Sequence, residues 1–82
     1  MRIEVQLFGP AAPRIGKRSV TIAFDHEPVS CALLRSRLAE AEPKLVELLA
    51  SHRLAVNHQF APDEQIISGG DEVALIGMVS GG

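Results

Sequence analysis

Glu72-Val73-Ala74-Leu75-Ile76-Gly77-Met78, running on into Val79-Ser80-Gly81-Gly82, is the stretch that decides the fold. Its first part alternates. Val73 and Leu75 take one side, while Glu72, Ala74, Ile76 and Met78 take the other, as side chains on a strand must. Ser68-Gly69-Gly70-Asp71 before it is a tight turn by composition. After it the sequence closes on paired glycines. Without a Cβ, two successive glycines let the backbone extend, adopt positive φ and enter a channel too narrow for other residues. They also leave the last carbonyl unshielded. A free Gly-Gly carboxylate just beyond a hydrophobic strand predicts that the terminus itself reacts. The competing reading is an inert, frayed end.

Working outward, residues 2–8 alternate in the same way, with Ile3, Val5 and Leu7 on one side and Arg2, Glu4, Gln6 and Phe8 on the other. Phe8 is an apolar residue on an otherwise polar face. Gly9, Pro10, Pro13 and Gly16 force a connection. A second strand follows, in which Val20, Ile22 and Phe24 alternate against Ser19, Thr21 and Ala23. Ser30 is placed to cap a helix running to about Ala41, with Cys31, Leu34, Leu38 and Ala41 as its buried stripe. Pro43 interrupts that helix or begins a new one, and Leu45, Leu48 and Leu49 give the second short helix an inner face. Arg53-Leu54-Ala55-Val56-Asn57 reads as a third strand. Residues 58–68 are mostly polar, with Phe60, Ile66 and Ile67 as the apolar exceptions.

The order is therefore strand, strand, helix, strand, strand. A helical crossover after a hairpin requires a mixed sheet with the helix on one face. Placing the two chain ends as neighbouring central strands gives an α+β, ubiquitin-like β-grasp with a flexible C-terminal Gly-Gly tail. The whole chain, 1–82, is expected to be one domain, with 78–82 as the reactive tail.

Bulk properties narrow the function. Eighty-two residues hold one core, and without Trp or Tyr that core is aliphatic with three phenylalanines. A net charge of −2 with scattered basic residues argues against nucleic acid or an anionic membrane as partner. The lone Cys31 makes no internal disulfide or cysteine zinc cage. No apolar run approaches a membrane span, and the first strand starts at once without a leader-like segment. A cytoplasmic protein is the expectation. His26, His52 and His58 fall in separate, exposed-looking segments without metal-ligand or triad spacing. Cys31, on the apolar stripe, reads as a packing thiol. Asp71 and Glu72, adjacent on a strand, point to opposite faces and form no acid pair.

Three motifs carry a resemblance. Leu54-Ala55-Val56-Asn57-His58, Gly69-Gly70-Asp71-Glu72-Val73-Ala74-Leu75-Ile76 and Val79-Ser80-Gly81-Gly82 resemble the small subunit of molybdopterin synthase, a MoaD-like sulfur carrier. The opening strand ending Leu7-Phe8, with Gly16 beyond it, is similar as well. The likeness spans the chain and is densest over 54–82. There are departures. Gly77-Met78 stands where the family often has two prolines, the first loop has Ala12-Pro13-Arg14 in a shifted register, and position 58 is His where Gln is more familiar.

The resemblance implies a chemistry. The terminal carboxylate, with an ordinary pKa of roughly 3.3–3.7, is ionised and a poor electrophile. A ubiquitin-activating-type adenylyltransferase using ATP would convert Gly82 to an acyl-adenylate, and a sulfurtransferase persulfide would turn that into a thiocarboxylate. The loaded tail, with Gly81 and Gly82 at its tip, would enter the large subunit and sulfurate cyclic pyranopterin monophosphate. Such a chain is no enzyme alone and binds no cofactor or metal itself. The resemblance also implies a heterotetramer with the large subunit. Phe8, Ile76 and Met78, apolar where alternation calls for polar residues, are the expected docking face. Phe60 either joins them or is covered, and Val79 and Ser80 continue the contact along the tail. The alternatives are a thiamine-pathway sulfur carrier, a ubiquitin-like modifier joined to lysines through Gly82, and a binding module with an inert tail.

Overall fold

In the computed structural model, which describes residues 1–77, the alternating segments become the strands they predict. β1 (Arg2–Leu7) pairs antiparallel with β2 (Ser19–Ala23), Ile3 opposite Ile22 and Val5 opposite Val20. The connection between them carries a short helix, α1 (Ala11–Ile15), closed by Gly16 at φ 71°. That left-handed geometry favours glycine. The proline-rich spelling of the segment hides the helix, although Pro13 falls in its first turn, where a missing N–H costs nothing.

β3 (Val29–Ser30) leads directly into α2 (Cys31–Ala41), and the Ser30 hydroxyl accepts the Leu33 N–H at 3.1 Å. The predicted cap is therefore in place. Cys31, Leu34 and Leu38 are fully buried. Ala41, expected on the same stripe, is exposed. It lines an open hollow beside Ile22 and Ala23 of the edge strand, and its methyl is too small to close that gap. Pro43 begins a 3₁₀ turn (Pro43–Leu45) that runs into α3 (Val46–Leu49). Leu45 is fully buried, with Leu48 and Leu49 packed against the core.

β4 (His52–Val56), β5 (Gln59–Phe60), β6 (Ile66–Ile67) and β7 (Val73–Gly77) complete the chain. The main sheet has the order β2-β1-β7-β4-β5, and β3 and β6 form a second small sheet. β7 lies parallel to β1 and antiparallel to β4. β1 and β7 are thus central neighbours, as the β-grasp reading requires. Val5, Leu7, Leu54, Val73 and Leu75 point from the sheet into a core closed by Leu34, Leu38 and Leu45.

Arg35 ties the layers together. Its guanidinium donates to the carbonyls of Leu49 at 2.7 Å and His52 at 2.9 Å, fixing the end of α3 and the start of β4 to α2. β4 starts one residue earlier than the sequence reading placed it, and His52 is 3% exposed. The expectation of three surface histidines is corrected here. Period two counted back from Val56 and Leu54 puts His52 on the inner side.

Candidate functional site

The outer face of the sheet is where alternation leaves apolar side chains without a core. Register sets a row across it. Gln6 lies beside Ala74, Ala74 beside Ala55, and Ala55 beside Phe60. Because Ala74 and Ala55 are small, this row is a depression. Phe8 prolongs β1, its N–H donating to the Leu75 carbonyl at 3.1 Å, and Ile76 stands opposite Arg53 in the next row. Phe8, Ala74, Ile76 and Ala55 line a hollow of about 390 Å³ with Gln6 and Glu72 at its edge.

Phe8 is 50% exposed and Phe60 48%. Phe60 sits on β5 rather than in a loop, in register with the hollow's floor. The Arg53 guanidinium lies over its ring, 5.3 Å from the centroid. The arrangement puts Phe8, Ile76 and Phe60 on one face, and of the two readings left open for Phe60 the exposed one holds. Met78, Val79, Ser80, Gly81 and Gly82 lie outside the described residues.

A two-residue turn shapes one border of this face. Asn57 (φ 53°) and His58 (φ 70°) both adopt left-handed geometry, which matches the twist of the β4–β5 hairpin. Asn57 then holds the approach to β7. Its Oδ1 accepts the Glu72 N–H at 3.0 Å and its Nδ2 donates to Asp71 at 3.0 Å. Asp71 also accepts the Ser68 N–H at 2.8 Å. The Ser68 amide first, and Asn57 second, hold the Asp71 carboxyl below its ordinary range. Its role is to build the turn, as expected. His58 and Glu72 meet at 2.9 Å, both largely exposed, a geometry worth little in water.

At the far end of β7, Gly77 pairs with His52. The His52 ring is pinned by the Leu48 carbonyl, 2.7 Å from Nδ1, and by Ser51 Oγ at 3.2 Å. With Nδ1 donating to that carbonyl, Nε2 is left as an acceptor. It is buried and has no partner among the described residues. An unpaired buried acceptor costs about 1–3 kcal/mol, set against the bond that Nδ1 makes to the Leu48 carbonyl. Sequence reasoning missed this residue by setting it on the surface.

Cys31 is a packing thiol, as its place on the apolar stripe predicts. It is fully buried, and burial pushes its thiol pKa up, with Asp63 adding to the rise and Arg35 opposing it. A thiol so placed is a poor nucleophile. Among the described residues, no three His, Cys, Asp or Glu side chains are grouped to hold a metal ion. No helix there is long and apolar enough to cross a membrane.

A mixed sheet with its terminal strands adjacent and central, a helix across one face and an apolar hollow on the other define a ubiquitin-like β-grasp protein. The ThiS family model matches residues 5–82, and the chain belongs to that family.

Solved structures agree. SAMP1 from Haloferax volcanii is 26% identical with a TM-score of 0.83, and each chain is covered in full. The complex of subunits 1 and 2 of molybdopterin-converting factor from Helicobacter pylori contains a chain 29% identical to this one, with a TM-score of 0.70 and full coverage of both. A putative molybdopterin converting factor subunit 1 from Pyrococcus furiosus superposes at a TM-score of 0.84, covering 96% of this chain and 99% of that one. Its 18% identity speaks to the fold alone. The class is that of small ubiquitin-like sulfur carriers and modifiers.

Proposed function

We propose that this chain is the sulfur-carrying small subunit of a molybdopterin synthase. The observation that carries the reading is the apolar hollow at Phe8 and Ile76 beside β7, the strand that leads directly toward Gly81-Gly82. A partner seated on that hollow covers β7, whose sequence continues four residues beyond Gly77 into Gly81-Gly82. Gly82 is adenylated with ATP by a ubiquitin-activating-type partner, releasing pyrophosphate. A sulfurtransferase persulfide displaces AMP to form an acyl disulfide, and a thiol reduces its S–S bond, leaving the thiocarboxylate and a disulfide. The thiocarboxylate then delivers that sulfur to cyclic pyranopterin monophosphate inside the large subunit. The Helicobacter pylori relative, found in a complex of subunits 1 and 2, supports a large-subunit partner.

Deleting Gly81-Gly82 tests the reading. The truncated chain is expected to keep its unfolding midpoint and its affinity for the large subunit, and to support no molybdopterin synthesis in a reconstituted reaction. Synthesis with the truncated chain would refute it.

The similarity to SAMP1 favours a second reading, in which activated Gly82 is attacked by a lysine of a target protein. Branched lysine adducts ending in Gly-Gly, formed without any sulfur-loaded species, would decide for that reading. A thiazole-forming partner in place of the pterin-binding one would move the same chemistry to thiamine synthesis.

A further inference from the structure

β2 is one edge of the main sheet, and its free side is unguarded. The other edge, β5, is only two residues long, which limits what can pair with it. β2 runs over Ser19–Ala23 without a charge, proline or glycine. Its ladder to β1 fixes which backbone groups are left over. Met1 and Phe24 exchange both hydrogen bonds, at 2.9 and 2.7 Å, and the Leu7 N–H donates to the Arg18 carbonyl at 2.8 Å. Bonded pairs alternate along an antiparallel ladder, so Arg18, Val20, Ile22 and Phe24 turn their N–H and C=O groups to β1. Ser19, Thr21 and Ala23 turn theirs away from it, and no other strand among the described residues meets them. A hollow of about 480 Å³ beside Thr21, Ile22 and Ala23, which Ala41 is too small to close, keeps this edge open.

Charge at the two ends of the strand says what fits there. Lys17 and Arg18 precede it, and Asp25 and Glu27 follow it. Among the described residues Arg18, Asp25 and Glu27 form no ion pair, while Lys17 bonds Glu42 at 2.8 Å. A parallel neighbour of the same sequence would set like charges together. An antiparallel one sets each basic end against an acidic end. We propose that the free edge of β2 pairs with the same edge of a second copy, antiparallel about a two-fold axis at Thr21. In that register Thr21 lies opposite its own counterpart, Ser19 opposite Ala23 of the second copy, and Lys17 opposite Asp25 of the second copy. Every outward N–H and C=O of Ser19, Thr21 and Ala23 is then bonded, and the central Thr–Thr match is a favourable cross-strand pair. The contact is isologous and closes on itself, so it stops at two chains. β1 stands between β2 and β7, so the outer hollow stays uncovered. Both hollows face the same side of the joined sheet, and the dimer offers two docking faces there. None of this depends on the chemistry at Gly82.

The full chain tests this in two measurements. Sedimentation equilibrium is expected to show species of 8.8 kDa and twice that, in a ratio set by chain concentration, and nothing larger. Amide NMR spectra over the same concentrations are expected to shift most at Ser19, Thr21 and Ala23, whose N–H groups gain acceptors, and little at Phe8 and Ile76. Thr21→Lys sets like charges face to face across the axis and is expected to return the mass to a single chain. Asp25→Lys makes both ends of the strand basic and is expected to weaken association roughly 2- to 30-fold, the range for two exposed ion pairs. A natural chain that stays single up to about 1 mM, the weak end of specific association, overturns the proposal. So does a dimer whose shifts centre on Ala74 and Ile76, which would make the outer hollow the self-contact, and so do species that grow beyond two chains. Shifts at β2 that arise only when a different protein is added give the edge to that protein instead. Equal association of Thr21→Lys and the natural chain also overturns it. If Thr21→Lys fails to fold, the shifts of the natural chain decide.

Discussion

Phe8→Asp is the sharpest perturbation of the outer face. Phe8 keeps 50% of its surface in water. Full burial of a phenylalanine side chain stabilises by about 1.5–3 kcal/mol, so covering the remaining half in a complex contributes roughly 0.8–1.5 kcal/mol by the same scale. An aspartate at that place forfeits this gain and strands a charge against the apolar floor of Ala74 and Ile76. An unpaired polar group costs about 1–3 kcal/mol more. The total of about 2–4 kcal/mol corresponds to a roughly 30- to 1,000-fold weaker Kd. The domain itself should hardly notice, because surface substitutions usually stay within about 0.5 kcal/mol. Titration calorimetry against the cognate large subunit, paired with denaturant unfolding of the free chain, measures both. Ile76→Asp should behave alike. If both variants bind within twofold of the natural chain, the outer face is not the docking surface. If either unfolds the chain, the residue belongs to the core.

Leu34, fully buried between helix and sheet, should cost about 2–5 kcal/mol on truncation to alanine. A domain of this size holds roughly 4–12 kcal/mol in all, so a loss under about 1 kcal/mol in denaturant titration would contradict that packing. Asp71, held below its ordinary value of 3.8 by the Ser68 amide and Asn57, favours folding in its ionised form. Its contribution is complete above that ordinary value and disappears as pH falls through the lower native one. Asp71→Ala should therefore lower stability at neutral pH and converge with the natural chain in strong acid. A constant gap across the acid limb would mean that the turn does not depend on the charge.

Much of this architecture is written in local pattern. Alternation in residues 2–8 and 72–76 places Val5, Leu7, Val73 and Leu75 inward, and Ser30 announces the start of α2 by a hydroxyl that can reach Leu33. The elements that stayed hidden are too short to carry a period. Val29–Ser30 and Ile66–Ile67 form a sheet of two-residue strands, and a pair of residues shows no alternation. α1 is obscured by Pro10 and Pro13, whose turn-forming character outweighs five residues of weak helical signal.

The site divides in the same way. Phe8, Ile76 and Phe60 betray themselves as apolar residues out of phase with their neighbours. His52 does not, because its burial depends on Arg35, Leu48 and Gly77, which come from three different elements and meet only in the folded chain. The exposure of Ala41 is equally a matter of what lies opposite it. The helical stripe points that residue toward β2, but period alone cannot say whether the gap there is filled.

The central claim is that Gly82 carries sulfur, and intact mass spectrometry tests it most directly. The chain would be incubated with its activating enzyme, ATP, a persulfide source and a thiol reductant, then measured without delay. The account predicts an ATP-dependent species heavier by one oxygen-to-sulfur exchange, localised to Gly82. A chain that stays unmodified, or that gives only branched lysine adducts, would contradict it.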